Sequence, residues 1–176
     1  MYDVILAATD GSDPANRGVE HALSLGSRYD AVVHVISVVD TGRYGEPALS
    51  STELVLEELE DRAHEHLADV AQRAETMDGE IVTKTCHGEP HEELVAYADE
   101  IDADLTLLGK QGLSRTGHHI GGVANGFVDG SDRPVQLART VEHGSGPVFY
   151  PAGRFPLSWR KRTAFIRSAR TNVYGY

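Results

Sequence analysis

The chain has 176 residues, 40% of them hydrophobic, and a formal net charge of −11. That is enough apolar material for one core and too much for a disordered chain. A single cysteine, Cys86, excludes an intrachain disulfide framework and a cysteine-based zinc cage.

The charge is unevenly spread. Residues 1–140 carry a net of −16, residues 141–176 a net of +5, and only three residues of the whole chain are Lys. An acidic, Lys-poor body suits a high-salt cytoplasm, where counterions screen self-repulsion over a few ångströms. It does not suit nonspecific DNA binding. No apolar run approaches the length of a membrane span. The start, MYDVILAATD, has no basic region before its apolar stretch and reads as a first strand rather than a signal peptide. The expectation is a soluble, cytoplasmic protein.

In chain order, residues 3–8 are apolar throughout and end in Thr9-Asp10-Gly11-Ser12, as a strand covered on both faces does. Ser12-Asp13-Pro14 then reads as an N-cap with proline in the first turn of a helix reaching about Arg28. Residues 31–39 predict a second buried strand, and Asp40 to Pro47 a loop. Ser50 and Glu53 form a capping box. Beyond it Val55, Leu59, Ala63, Leu67, Val70 and Ala74 step by three or four, the mark of a long amphipathic helix. Glu80 to His87 is a third strand, Pro90 opens a third helix, and residues 103–108 form a fourth strand. Glycines 109, 112, 117, 121 and 122 lie in the loop that leads to a short helix near 123–129. Pro134 to Ala138 predicts a fifth strand. Strands alternating with helices demand an open parallel five-stranded sheet, Rossmann-like or flavodoxin-like, with helices on both faces. Ligands of such sheets bind beyond the carboxyl ends of the strands, where the strand order reverses. Asp10 and Gly109 mark the two strand ends with unusual chemistry.

Gly109-Lys110-Gln111-Gly112 brings backbone N–H groups near a ligand, and the following helix start adds partial positive charge. It is neither a Walker A motif nor a dinucleotide fingerprint. Asp10 has three readings: a magnesium ligand, an acceptor for a ribose hydroxyl, or a cap on the Gly11-Ser12 turn. The histidines give no helical zinc pairing. His64 and His66 point to different sides of a helix, and His118 and His119 are adjacent loop residues that could sit beside a phosphate. Cys86 reads as a small core residue on a buried strand. No nucleophile–base arrangement follows from spacing.

Taken together and in order, several segments resemble the universal stress protein family over roughly residues 2–139. They are Asp10-Gly11-Ser12, the strand ending at Val38 to Asp40, His87-Gly88-Glu89-Pro90, Ala103-Asp104-Leu105 leading into Leu108-Gly109, and Ser131-Asp132-Arg133-Pro134-Val135. The resemblance implies a nucleotide-binding regulator of the stress response without robust catalysis, dimeric through its last strand, Pro134 to Ala138. It implies ATP or AMP as the ligand, with or without Mg2+. Ala8, Thr9, Asp10 and Val38 would line the base pocket, and Gly109, Gly112, Gly121, Gly122 and Val123 would carry the phosphate motif. One branch of the family has glycine and a hydroxyl residue at the end of that motif. Here Gly122 is followed by Val123, or Gly121-Gly122 takes that place if one residue is deleted, so the hydroxyl is absent under either alignment. A member acting through protein contacts alone, and a weak nucleotide hydrolase, are the alternatives. Residues 141–176, basic and holding the only Trp, lie beyond the resemblance. They read as a disordered extension, a short basic helix docked on the acidic body, or the product of a shifted reading frame.

Overall fold

A computed structural model describes residues 1–42, 51–75, 79–112 and 119–139. The expectations for Ser50, for His118 and for residues 141–176 lie outside these residues. The described residues all belong to one unit, Met1–Glu142.

Five strands and four helices alternate: β1 Val4–Ala8, α1 Asp13–Tyr29, β2 Val32–Asp40, α2 Ser51–Ala74, β3 Ile81–Gly88, α3 Pro90–Glu100, β4 Leu105–Gly109, α4 Gly122–Gly130 and β5 Val135–Ala138. All strand pairs are parallel, in the order β3-β2-β1-β4-β5. The open parallel sheet expected from the alternation is therefore present. Its cause is local: Ile5, Leu6 and Ala7 are apolar on both faces of β1 and are fully buried, so helices must cover both sides. Leu6, Ile36 and Leu108 pack against Leu94, Tyr97 and Ala98 of α3 and Phe127 of α4. Right-handed crossovers put α1 and α2 on the other face. There Val19, Ala22 and Leu25 of α1 and Leu67 and Val70 of α2 are buried.

Local chemistry sets the ends. Ser12, in extended conformation, is the N-cap of α1 with Pro14 in the first turn, as its sequence predicts. Asp30 ends that helix in the left-handed conformation, φ 57°, and its N–H donates to the Gly26 carbonyl. Strand β4 begins two residues later than the apolar run suggests. Asp104 instead turns its carboxylate to the start of β1, where Oδ2 accepts from the N–H of Asp3 at 2.6 Å and of Val4 at 3.2 Å. Cys86 corrects another expectation. Its strand β3 is an edge of the sheet, so the residue is only half-buried.

A buried hydroxyl also lies within the core. Thr106 of β4 is 0% exposed, and its Oγ1 has no hydrogen-bond partner among the described residues. A buried hydroxyl without a partner costs about 1–3 kcal/mol. Thr106→Val keeps the β-branched shape and removes that cost. It is expected to stabilise the domain by about 1 kcal/mol and to raise the melting temperature by about 3 °C. A lower melting temperature for the valine variant would show that the hydroxyl is bonded in solution.

Candidate functional site

Strand β1 lies between β2 and β4, so the chain leaves it toward β2 and β3 on one side and returns to β4 and β5 on the other. The loops after β1 and β4 therefore diverge to opposite faces and leave a crevice at the carboxyl edge. The two strand ends picked out by their chemistry, at Asp10 and Gly109, are neighbours there.

The loop after β1 is a closed hydrogen-bonded turn. Thr9 N–H donates to the Ile36 carbonyl at 3.0 Å. Gly11 N–H donates to Thr9 Oγ1 at 3.1 Å, and Asn16 Nδ2 donates to the Gly11 carbonyl at 3.2 Å. Asp10 Oδ1 accepts from the Ser12 N–H at 3.0 Å and from the Ser12 hydroxyl. Of the three readings of Asp10, capping this turn is the one its geometry displays. Gly11 has φ 79°, a left-handed conformation suited to glycine. The His66 ring of α2 fills the space where a Gly11 side chain would stand. His66 is half-buried and His64 exposed, in line with their opposite sides of the helix.

The loop after β4 approaches this turn closely. Lys110 N–H donates to the Ala138 carbonyl at 2.7 Å, and Gly121 N–H donates to the Lys110 carbonyl at 2.8 Å. Gln111 Nε2 donates to the carbonyl of the exposed His119 at 2.7 Å. A Cβ on Gly109 would lie 2.8 Å from the backbone nitrogen of Ala15 in the first turn of α1. At Gly112 the place of a side chain is taken by Asp10 Oδ2. A Cβ on Gly121 would sit 3.4 Å from the Lys110 carbonyl oxygen. Packing thus accounts for Gly109 and Gly112 outright and for Gly121 in part.

Gly122 differs. Nothing stands within 4 Å of where its Cβ would be, and it has no positive φ. A side chain at this position would therefore meet neither a steric clash nor a left-handed backbone. Gly122 begins α4, whose N-cap, Gly121, has no side chain to cap it. The first helical bond runs from Asn125 N–H to the Gly121 carbonyl at 2.9 Å. The N–H groups of Gly122, Val123 and Ala124 come before it, as the orphan donors of a helix start do. Together they make a site of partial positive charge. Val123, where a hydroxyl was expected, is 41% exposed. On the sheet side, Ala8 and Val38 are half-buried and both pack against the α3 and α4 core, so they lie on one face of β1 and β2.

Cys86 is not activated: burial pushes its thiol pKa up, which lowers the thiolate fraction. Burial likewise lowers the pKa of His34, whose Nδ1 lies 2.8 Å from the Tyr97 hydroxyl. His87 pairs with Glu60 at 2.7 Å and His91 with Glu89 at 3.3 Å. Among the described residues, no group of three or more His, Cys, Asp and Glu comes together. Sequence reasoning missed Asn16, which ties the β1 turn to α1, and the place of His66 against Gly11. Only the conformation of Gly11 was open to prediction.

A model of the universal stress protein family matches residues 1–139. Universal stress protein MJ0531 of Methanocaldococcus jannaschii is 34% identical over 143 residues, covering 79% of this chain and 83% of its own. Among solved structures, the universal stress protein UspA of Lactobacillus plantarum is 29% identical with a TM-score of 0.67, covering 78% of this chain and 98% of its own. A universal stress protein solved in complex with cAMP is 25% identical with a TM-score of 0.61, covering 80% of this chain and 99% of its own. With the sheet order and the marked segments all in place, the chain belongs to the universal stress protein family.

Proposed function

We propose that this domain binds an adenine nucleotide, ATP or AMP, in the crevice between β1 and β4 and acts as a stress-response regulator without robust turnover. The observation that carries the reading is Gly122: it stands at an uncapped helix start beside the strand-order switch, with open space on its side-chain side. The base would lie over Ala8, Thr9, Asp10 and Val38. The phosphate would meet the amides of Gly112, Gly122 and Val123. Mg2+ would accompany ATP. The relative solved with cAMP supports an adenine nucleotide as the ligand class. In this reading the protein works in the cytoplasm as a homodimer paired through β5, an edge strand of the sheet. Among the described residues of the crevice, the Ser12 hydroxyl is held by Asp10 in a turn and helix cap, which supports regulation rather than hydrolysis.

A second reading has its own observation. Val123 presents an apolar side chain where one branch of the family has a hydroxyl, and this favours a member that works through protein contacts.

Calorimetric titration with AMP and with ATP plus magnesium separates the two. A hydroxyl placed at the motif should add one hydrogen bond to an anionic group, worth about 1.5–3 kcal/mol. Gly122→Ser fits without strain, and affinity is expected to rise about tenfold or more. Val123→Ser tests the alignment that keeps nine intervening residues. If the wild type and both serine variants show no heat of binding at millimolar ligand, the protein-contact reading stands.

A further inference from the structure

The two edges of the sheet are built differently. β5 has four residues and β3 eight, and β3 pairs with β2 in unbroken register from Ile81 to Gly88. Among the described residues no strand lies on the other side of β3. Val33 N–H donates to the Glu80 carbonyl at 2.9 Å. Bonds of a parallel pair repeat every second residue, so Glu80, Val82, Lys84 and Cys86 direct their backbone groups to β2. Those of Ile81, Thr83, Thr85 and His87 point outward. Natural edges are blunted by proline, by a bulge or by an outward charge. β3 has no proline and no bulge. Its one Lys, Lys84, turns onto α3, with Nζ 3.3 Å from Glu100 and 4.0 Å from the centre of the Tyr97 ring. On the α2 side of this edge runs a groove of about 580 Å³, lined by His64, Leu67, Ala68 and Ala71 of α2 and by Thr83 and Thr85. Carboxylates surround the strand. Glu60 is 2.7 Å from His87, Glu100 pairs with Lys84, and Glu93 fills the side-chain place of Gly88. The stretch leading into β3, residues 75–80, holds Glu75, Asp78 and Glu80 and no Lys or Arg.

We propose that the outer edge of β3 and the groove beside it dock an extended, basic segment of a partner protein, which adds as a sixth strand. The backbone of the segment pairs with the outward groups of Ile81, Thr83, Thr85 and His87. Side chains alternate along a strand, so every second one enters the groove between α2 and β3. Small apolar side chains suit that groove, whose floor is Leu67, Ala68 and Ala71. Basic side chains of the segment meet Glu60, Glu93 and Glu100. A second copy of this chain fits less well, because pairing β3 with β3 brings these carboxylates face to face. The surface is separate from the crevice of β1 and β4, so the inference does not depend on the nucleotide reading.

The test titrates the full, isotope-labelled chain with synthetic peptides of about seven residues, the length of a strand. One alternates lysine and valine, one alternates glutamate and valine, and one is the lysine–valine peptide N-methylated throughout. Backbone amide exchange at Thr83, Thr85 and His87 is read by NMR. The lysine–valine peptide is expected to slow it about tenfold or more at saturation. The glutamate–valine peptide is expected to bind about tenfold more weakly, and the lysine–valine affinity to fall about tenfold between about 0.1 and about 1 M KCl. Thr85→Pro removes an outward donor at an edge position that tolerates proline, and is expected to abolish binding. Ala68→Lys leaves β3 untouched, fills the groove and adds a positive charge. It is expected to weaken binding about tenfold at unchanged melting temperature. Equal binding of the N-methylated peptide overturns strand addition, and equal binding of the glutamate peptide overturns the choice of a basic partner. Unchanged exchange of all three amides at millimolar lysine–valine peptide overturns the proposal. Slowing of the same amides with rising protein concentration and no peptide assigns the edge to a second copy of the chain and overturns the partner reading.

Discussion

Gly109→Val is expected to destabilise the whole domain by about 3 kcal/mol or more, and the cause lies in helix packing. A Cβ at this position would lie 2.8 Å from the Ala15 nitrogen, 3.1 Å from the Ala15 Cα and 3.2 Å from the Gln111 carbonyl oxygen. All three are backbone atoms, so no side chain can swing aside. Relief requires α1 to lift away from the sheet, and with it the buried Val19, Ala22 and Leu25. The loss is large against a typical domain stability of about 5–15 kcal/mol. Urea denaturation checks it: the midpoint should fall sharply at unchanged slope. If Gly109→Val kept its midpoint and lost only nucleotide binding, the glycine would exist for the ligand and the packing account would be wrong.

Arg133→Ala is expected to cost about 1–2 kcal/mol, about 3–6 °C in melting temperature. Arg133 precedes β5 at the amino edge of the sheet. Its Nε donates to Asp99 at 2.7 Å, and its Nη1 donates to Asp102 at 2.9 Å and to the Ala103 carbonyl at 3.0 Å. The Arg133 side chain is 23% exposed while Asp99 is 62% and Asp102 93% exposed, so solvent screens the two ion pairs and the expected cost stays modest. They hold the turn between α3 and β4, where Asp102 has φ 53°. Arg133→Lys should recover little, because one ammonium cannot reproduce the planar fork. The clamp lies at the opposite edge from the crevice, so nucleotide affinity of the folded variant should stay within about twofold of wild type. Equal losses of stability in the lysine and alanine variants, with affinity intact, would support this account. Full recovery by lysine would reduce the clamp to a simple charge effect.

These two residues show what the sequence made legible and what it did not. Apolar runs and cap residues placed every element within about two residues, because both depend on neighbours in the chain. The alternation and the handedness of crossovers left few topologies, and the fold supplied the adjacency of β1 and β4. Ala103-Asp104-Leu105 and Ser131-Asp132-Arg133 were recognisable as marks of a family, but their reason is tertiary. Asp104 caps the start of a strand a hundred residues away, and Arg133 reaches back to α3. The glycines of the loop after β4 were equivalent as letters. Only the fold separates Gly109, pressed on α1, and Gly112, facing Asp10, from Gly122, which faces open space. The contact of His66 with Gly11 depends on where α2 lies over the sheet, which periodicity does not specify.

The central claim is that the crevice at the carboxyl edge of β1 and β4 is an adenine-nucleotide site. The most direct test is to purify the full chain without added nucleotide, release any bound small molecule by heat and identify it by chromatography. The account predicts a released adenine nucleotide, present in the wild type and enriched in Gly122→Ser. A wild-type and Gly122→Ser protein that both release no nucleotide, and that take up none when incubated with millimolar AMP or ATP, would contradict it.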